Sequence, residues 1–142
     1  MGKQIQRAER SAKTDWVCTM ETDANSLKIG VDLDGTISEY PGFFSLFTKA
    51  MAEAGCRIYV ITDRMLGTEA DVVSELRKHD ITYHVIKITS DKAKYMSDEG
   101  VSVLFDDREE YFLELPEEVA VFKVRQKYNF DFSRKKWRDP CP

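Results

Sequence analysis

The sequence predicts an α/β fold, a Rossmann-like three-layer αβα sandwich on a mainly parallel five-stranded sheet. Three observations predict it. Five short runs rich in Val, Ile, Tyr and Phe recur between residues 27 and 124, the composition of strands buried in a sheet. The segments between them carry apolar residues at helical spacing, and two of these stop at a glycine. Strand and helix alternate in units of about 20 to 30 residues, the size a crossover between parallel strands requires.

The elements follow in order. LKIGVDL, residues 27–33, is the first strand. PGFFSLFTKAMAEAG, residues 41–55, places Phe43, Phe44, Phe47, Ala50, Met51 and Ala54 on a helix that ends at Gly55, and its phenylalanine stripe reads as core rather than as a substrate platform. RIYVIT, residues 57–62, is the second strand. TEADVVSELRKHD, residues 68–80, opens with Thr68 three positions before Asp71, close to a capping box, and sets Val72, Val73 and Leu76 on one face. TYHVIKI, residues 82–88, is the third strand, and DKAKYMSDEG, residues 91–100, is a helix closed by Gly100. VSVLF, residues 101–105, is the fourth strand, REEYFLEL, residues 108–115, a helix before Pro116, and EVAVFKV, residues 118–124, the fifth strand.

This divides the chain into a poorly ordered N-terminal extension (1–26), one α/β domain (27–124) and a basic, aromatic C-terminal tail (125–142). The net charge of −4 conceals basic residues gathered at both ends around an acidic centre. That pattern argues against a basic nucleic-acid module, although either end can meet an anion. No apolar run approaches the roughly 18 residues of a membrane span, and the first residues lack the apolar stretch of a secretory signal. A cytoplasmic protein with no membrane partner is expected. Cys18, Cys56 and Cys141 stand far apart without CxxC spacing, so reduced thiols are expected. His79 and His84 lack companions at ligand spacing and read as structural.

In open α/β sheets ligands bind beyond the carboxyl ends of the strands. Strand one ends at Asp32 and Asp34, strand two at Thr62, strand three runs towards Lys92, and strand four ends at Asp106 and Asp107. Four carboxylates on one rim repel unless a cation joins them, and an oxygen-only ligand set suits Mg²⁺ better than zinc. In D-x-D the first carboxylate can face a phosphorus atom as nucleophile. The turn at Gly35 brings the second back over the same site as acid and base. An EF-hand is excluded, because Gly35 stands at position 4 of such a loop and Ile37 at position 6.

DLDGT, Thr62 in IYVITDR, Lys92 in SDKAKYM and VLFDDRE, in that order, resemble the four motifs of the haloacid dehalogenase superfamily of aspartate-nucleophile phosphatases. The resemblance covers residues 27–124 and implies a covalent mechanism. Asp32 attacks phosphorus, and Asp34 protonates the leaving oxygen and then activates water. Thr62, Asp63 and Lys92 are the phosphate-binding candidates, with Lys94 the alternative to Lys92. Mg²⁺ is expected among Asp32, the Asp34 carbonyl and the Asp106–Asp107 pair, with Asp107 the favoured direct ligand and Asp106 holding a metal-bound water or Lys92. The intervals Thr36 to Thr62 and Thr62 to Lys92 are filled by the elements already assigned, so no large cap domain is expected. An open site suits a phosphorylated small molecule or a macromolecular end, nucleic acid included, or a site covered by a partner subunit. The alternatives are a nucleotide or nucleic-acid-end phosphatase and a non-catalytic binding module that keeps the fold. Arg108 is expected to pair with a neighbouring carboxylate.

Overall fold

The computed structural model describes residues 27–138. The expected N-terminal extension, Cys18, Cys141 and residues 139–142 lie outside the described residues.

Strands β1 (Lys28–Val31), β2 (Arg57–Thr62), β3 (Val85–Ile88), β4 (Val103–Asp106) and β5 (Ala120–Lys123) form one sheet in the order β3-β2-β1-β4-β5. Every pairing in it is parallel, with Val31 opposite both Val60 and Phe105. Helices α1 (Pro41–Glu53), α2 (Glu69–Lys78) and α3 (Lys92–Glu99) fill the first three crossovers. The chain steps outward from β1 to β3, then returns past β1 to β4. Right-handed crossovers therefore send α3 to the face opposite α1 and α2, and the core divides accordingly. Ile29, Val31, Ile58 and Val60 pack with Phe44, Val72 and Leu76 in one cluster, whereas Tyr59, Ile61 and Leu104 pack with Met96 and Val101 in the other. Alternate residues of β2 thus face opposite layers, as the two-residue period of a strand requires.

The helix ends are set locally. Pro41 opens α1, where its missing N–H costs no hydrogen bond. Gly55 follows α1 at φ 99°, a left-handed conformation open to glycine. The Asp91 carboxylate accepts from Lys94 N and caps α3, which fixes the turn that carries Lys92. At α2 the capping box does not form, because Thr68 Oγ1 donates to the Met65 carbonyl in the preceding loop.

Two expectations are corrected. REEYFLEL is not a helix; only a 3₁₀ turn forms, Glu109–Phe112. A segment this short is a marginal helix on its own, and its backbone is turned at the start by Arg108 N donating to Asp106 Oδ1. The phenylalanine stripe is divided, with Phe44 in the core at 1% exposure and Phe43 on the surface at 56%. From residue 125 to 138 the chain packs back onto the domain. Gln126 is buried at 2% exposure, a 3₁₀ turn follows at Lys127–Asn129, and β6 (Phe130–Asp131) pairs antiparallel with β7 (Lys136–Trp137). Phe130 packs edge-on against Phe132 and Trp137, and Tyr40 donates to the Arg125 carbonyl across the fold.

Cys56 is a free, buried thiol, and His84 Nδ1 accepts from Ile58 N in a structural contact. Among the described residues no helix is long and apolar enough to cross a membrane.

Candidate active site

All five strands end at the same edge of the sheet, and the order of strands reverses between β1 and β4. That is where a crevice opens in an α/β sheet. Asp32 follows β1, Thr62 closes β2, Lys92 opens α3 after β3, and Asp106 and Asp107 end β4. The fold brings these five residues together.

Asp32 is held by its backbone N–H donating to the Phe105 carbonyl, which extends the β1–β4 ladder by one residue. The chain then loops tightly over residues 33–37. Gly35 sits at φ 78°, and a Cβ there would collide with the Asp107 carboxylate and lie 3.0 Å from Gln126 Nε2. Glycine is required at this position for its conformation and for the absence of a side chain.

Lys92 is the centre of the charge arrangement. Its Nζ, on a side chain 1% exposed, donates to Asp32 Oδ1 at 2.8 Å and to Asp106 Oδ2 at 2.6 Å. The ring of Tyr111 covers it, 4.2 Å from Nζ to the ring centre, and Tyr111 OH donates to Asp63 Oδ2 at 2.5 Å. Lys94 pairs instead with Asp98 on the solvent side of α3. Lys92 is therefore the lysine at the site. Asp63 is tied to the centre through Tyr111, which donates to its Oδ2.

Carboxylate oxygens of Asp32, Asp106 and Asp107 lie within 4.8 Å of one another, a group able to hold a metal ion. Both oxygens of Asp106 are engaged, Oδ2 by Lys92 and Oδ1 by Arg108 N. Asp107 differs: Oδ2 accepts from Gln126 Nε2 at 3.2 Å, while the buried Oδ1 has no hydrogen-bond partner among the described residues. The buried hydroxyls of Thr36 and Thr62 are likewise without one. Unpaired buried polar atoms are costly, and Asp107 Oδ1 is one of them inside the carboxylate group itself. Three carboxylates and one ammonium leave two negative charges, the complement of a single divalent cation. With oxygen donors only, the residues fit a hard ion.

Asp34 is placed differently from its neighbours. The expectation of four carboxylates sharing one cation is corrected here, because the half-exposed Asp34 side chain is gripped at both oxygens by Arg64, at 2.9 Å from Nε and 2.7 Å from a terminal nitrogen. Arg64 also reaches Glu75 on α2 at 2.5 Å. The Asp34 carboxylate is thus not part of the group formed by Asp32, Asp106 and Asp107. A cleft of about 200 Å³ lies beside it, lined by Asp34, Gly35, Asp107, Arg108, Gln126 and Asn129 among others. Arg108 pairs with Glu110 at 2.5 Å.

The electrostatics follow from burial. Loss of solvent pushes the Asp32 carboxyl up to about 8, opposed by Lys92 and reinforced by Asp106 and Asp107. Burial raises Asp106 as well. For Lys92 burial works downward, but the carboxylates of Asp32 and Asp106 outweigh it and hold the ammonium charged to higher pH than an ordinary lysine. One ammonium balances one carboxylate, so without a further cation the cluster retains a proton at neutral pH.

Sequence reasoning missed Arg64, Tyr111 and Gln126. Arg64 and Tyr111 lie within a few positions of residues that were singled out, and only the folded loops show what they touch. Gln126 follows β5, the one strand whose carboxyl end was not inspected. Comparison of the chain with protein-family models, curated proteins and solved structures found no match.

Proposed function

We propose that the protein is a Mg²⁺-dependent phosphomonoesterase of the haloacid dehalogenase type, acting through an aspartyl phosphate on Asp32. The observation that carries this reading is buried Lys92 bridging Asp32 and Asp106 in a carboxylate group whose Asp107 Oδ1 has no hydrogen-bond partner among the described residues. A structural ion pair would leave no such oxygen open. A site for an anion and a cation together needs one.

In this reading Asp32, Asp107 and the Asp34 carbonyl hold Mg²⁺, which when bound offsets the charge of the carboxylates and of the phosphoryl oxygens. Lys92 fixes Asp32 Oδ1, so Oδ2 is the oxygen that attacks phosphorus in line with the leaving group. As the bond to the leaving oxygen breaks, Asp34, protonated from solvent once Arg64 has released one of its oxygens, gives that oxygen a proton. Water then attacks the same phosphorus and passes a proton to Asp34, and the bond to Asp32 breaks to release inorganic phosphate. Thr62 Oγ1 and the Lys92 ammonium donate to the phosphoryl oxygens on which charge builds. Arg64 keeps Asp34 at the rim and yields one of its two contacts when the proton moves. The substrate class is a phosphomonoester whose leaving group enters the cleft beside Asp34.

The test is hydrolysis of an aryl phosphate by the wild type and by Asp32→Asn, with and without Mg²⁺. Metal-dependent turnover that is absent from the variant is expected. Equal turnover by Asp32→Asn would remove the covalent mechanism. A wild type that neither hydrolyses phosphoesters nor binds a phosphoryl-mimicking metal fluoride with Mg²⁺ would point to the non-catalytic reading.

A further inference from the structure

We infer that Gln126 is a positioning residue for the metal, setting the Asp107 carboxylate and the Asp34–Gly35 turn in register with each other. The inference rests on the metal reading of the site and concerns a residue that lies outside all four motifs.

The geometry is specific. The carboxamide of Gln126 is buried, and its Nε2 donates to the Gly35 carbonyl at 2.6 Å and to Asp107 Oδ2 at 3.2 Å. Its Oε1 accepts from Asn129 Nδ2 at 2.8 Å, which fixes which end of the amide faces the site. Asn129 is held in turn by Arg138 N donating to its carbonyl, so the β6–β7 hairpin stands behind the amide. From the same stretch of chain, Lys123 Nζ donates to the Asp107 carbonyl. The fifth strand and its extension therefore grip Asp107 at backbone and side chain together.

The consequence concerns which oxygen is free. With Oδ2 taken by the amide, the Asp107 oxygen left without a partner is Oδ1. The same Nε2 ties down Gly35, whose tight approach to Asp107 admits no side chain. One amide thus sets the separation between the fourth-strand ligand and the turn that carries the Asp34 carbonyl. A neutral donor suits the task. A lysine there would supply the positive charge the cluster reserves for its cation, and a carboxylate would add to the repulsion. Partners that orient metal ligands typically change affinity by about 10- to 100-fold when removed.

The test measures Mn²⁺ uptake by electron paramagnetic resonance on the full chain, with no turnover required. Gln126→Ala is compared with Gln126→Met, which keeps most of the volume and removes both donors, and with the exposed Lys127→Ala as a control in the same turn. We expect both Gln126 variants to bind Mn²⁺ about 10-fold or more weakly with far-UV circular dichroism unchanged, and Lys127→Ala to bind as the wild type does. If Gln126→Ala does not fold, Gln126→Met carries the comparison. Wild-type affinity in a folded Gln126→Met overturns the inference while leaving the metal reading intact. A wild type that takes up no Mn²⁺ overturns the metal reading and this inference with it.

Discussion

At Asp32 burial outweighs the attraction of Lys92, and its ionisation makes the metal reading testable without substrate. Its carboxyl stands at about 8 in the fold against an ordinary value of 3.8, so the folded protein keeps a proton that the unfolded chain releases. Stability from this group is fully present below the unfolded value and is lost as pH rises towards 8. Lys92 titrates above the ordinary lysine range and does not enter that window. Protein freed of metal is therefore expected to lose stability between about pH 5 and about pH 8, by up to about 1.4 kcal/mol per pH unit. Saturating Mg²⁺ is expected to abolish the decline. Urea midpoints along a pH series check this, and a flat series without metal would mean that Asp32 is already ionised in the fold. At this scale the candidate site was legible in part. Asp32, Thr62, Lys92, Asp106 and Asp107 stand at strand ends or fixed intervals, which a sequence displays. The arginine that takes Asp34 away from the cluster was not legible, because Arg64 and Asp34 meet only when two loops fold side by side.

Among the elements, α1 shows how far periodicity reaches. Phe43, Phe44 and Phe47 recur at helical spacing, yet Phe44 lies in the core and packs edge-on to Phe105 of β4, Phe47 is half-buried against the same ring, and Phe43 stacks on Phe47 from the surface. Period defines a stripe; the width of the sheet beneath decides which of its residues are covered. Phe44→Ala should lower unfolding free energy by about 3 to 5 kcal/mol, as for other large core truncations. Phe43→Ala should cost under about 1 kcal/mol. Equal losses at the two positions in denaturant titrations would mean that Phe43 is buried in solution. The five strands were legible because their β-branched and aromatic runs are short and bounded. The segment after β4 was not, because Tyr111, Phe112 and Leu115 are drawn individually onto the second core cluster, and that packing rather than helical period fixes the chain there.

For the whole molecule, a parallel sheet places every strand's carboxyl end on one edge, so each added strand can add a residue to the same site. Four of the five strand ends were read in the sequence as chemistry. The fifth was read only as the end of the domain at residue 124. A chain ending at Val124 keeps all four motifs and every residue assigned a step in the reaction. If those motifs were sufficient, it would bind divalent cations as the whole protein does. The contacts from Gln126 to Gly35 and Asp107, and the bond from Tyr40 to the Arg125 carbonyl, predict otherwise. The shortened chain should lose Mn²⁺ affinity at least as far as Gln126→Met does, and a chain ending at Phe130, which retains Gln126 and Asn129, should recover most of it. Recovery only when residues 131–138 are also present would instead assign the effect to the hairpin. In that case the amide would depend for its orientation on the bond from Arg138 N to the Asn129 carbonyl, and the site would extend, as one connected set of hydrogen bonds, from the β1 turn to Arg138.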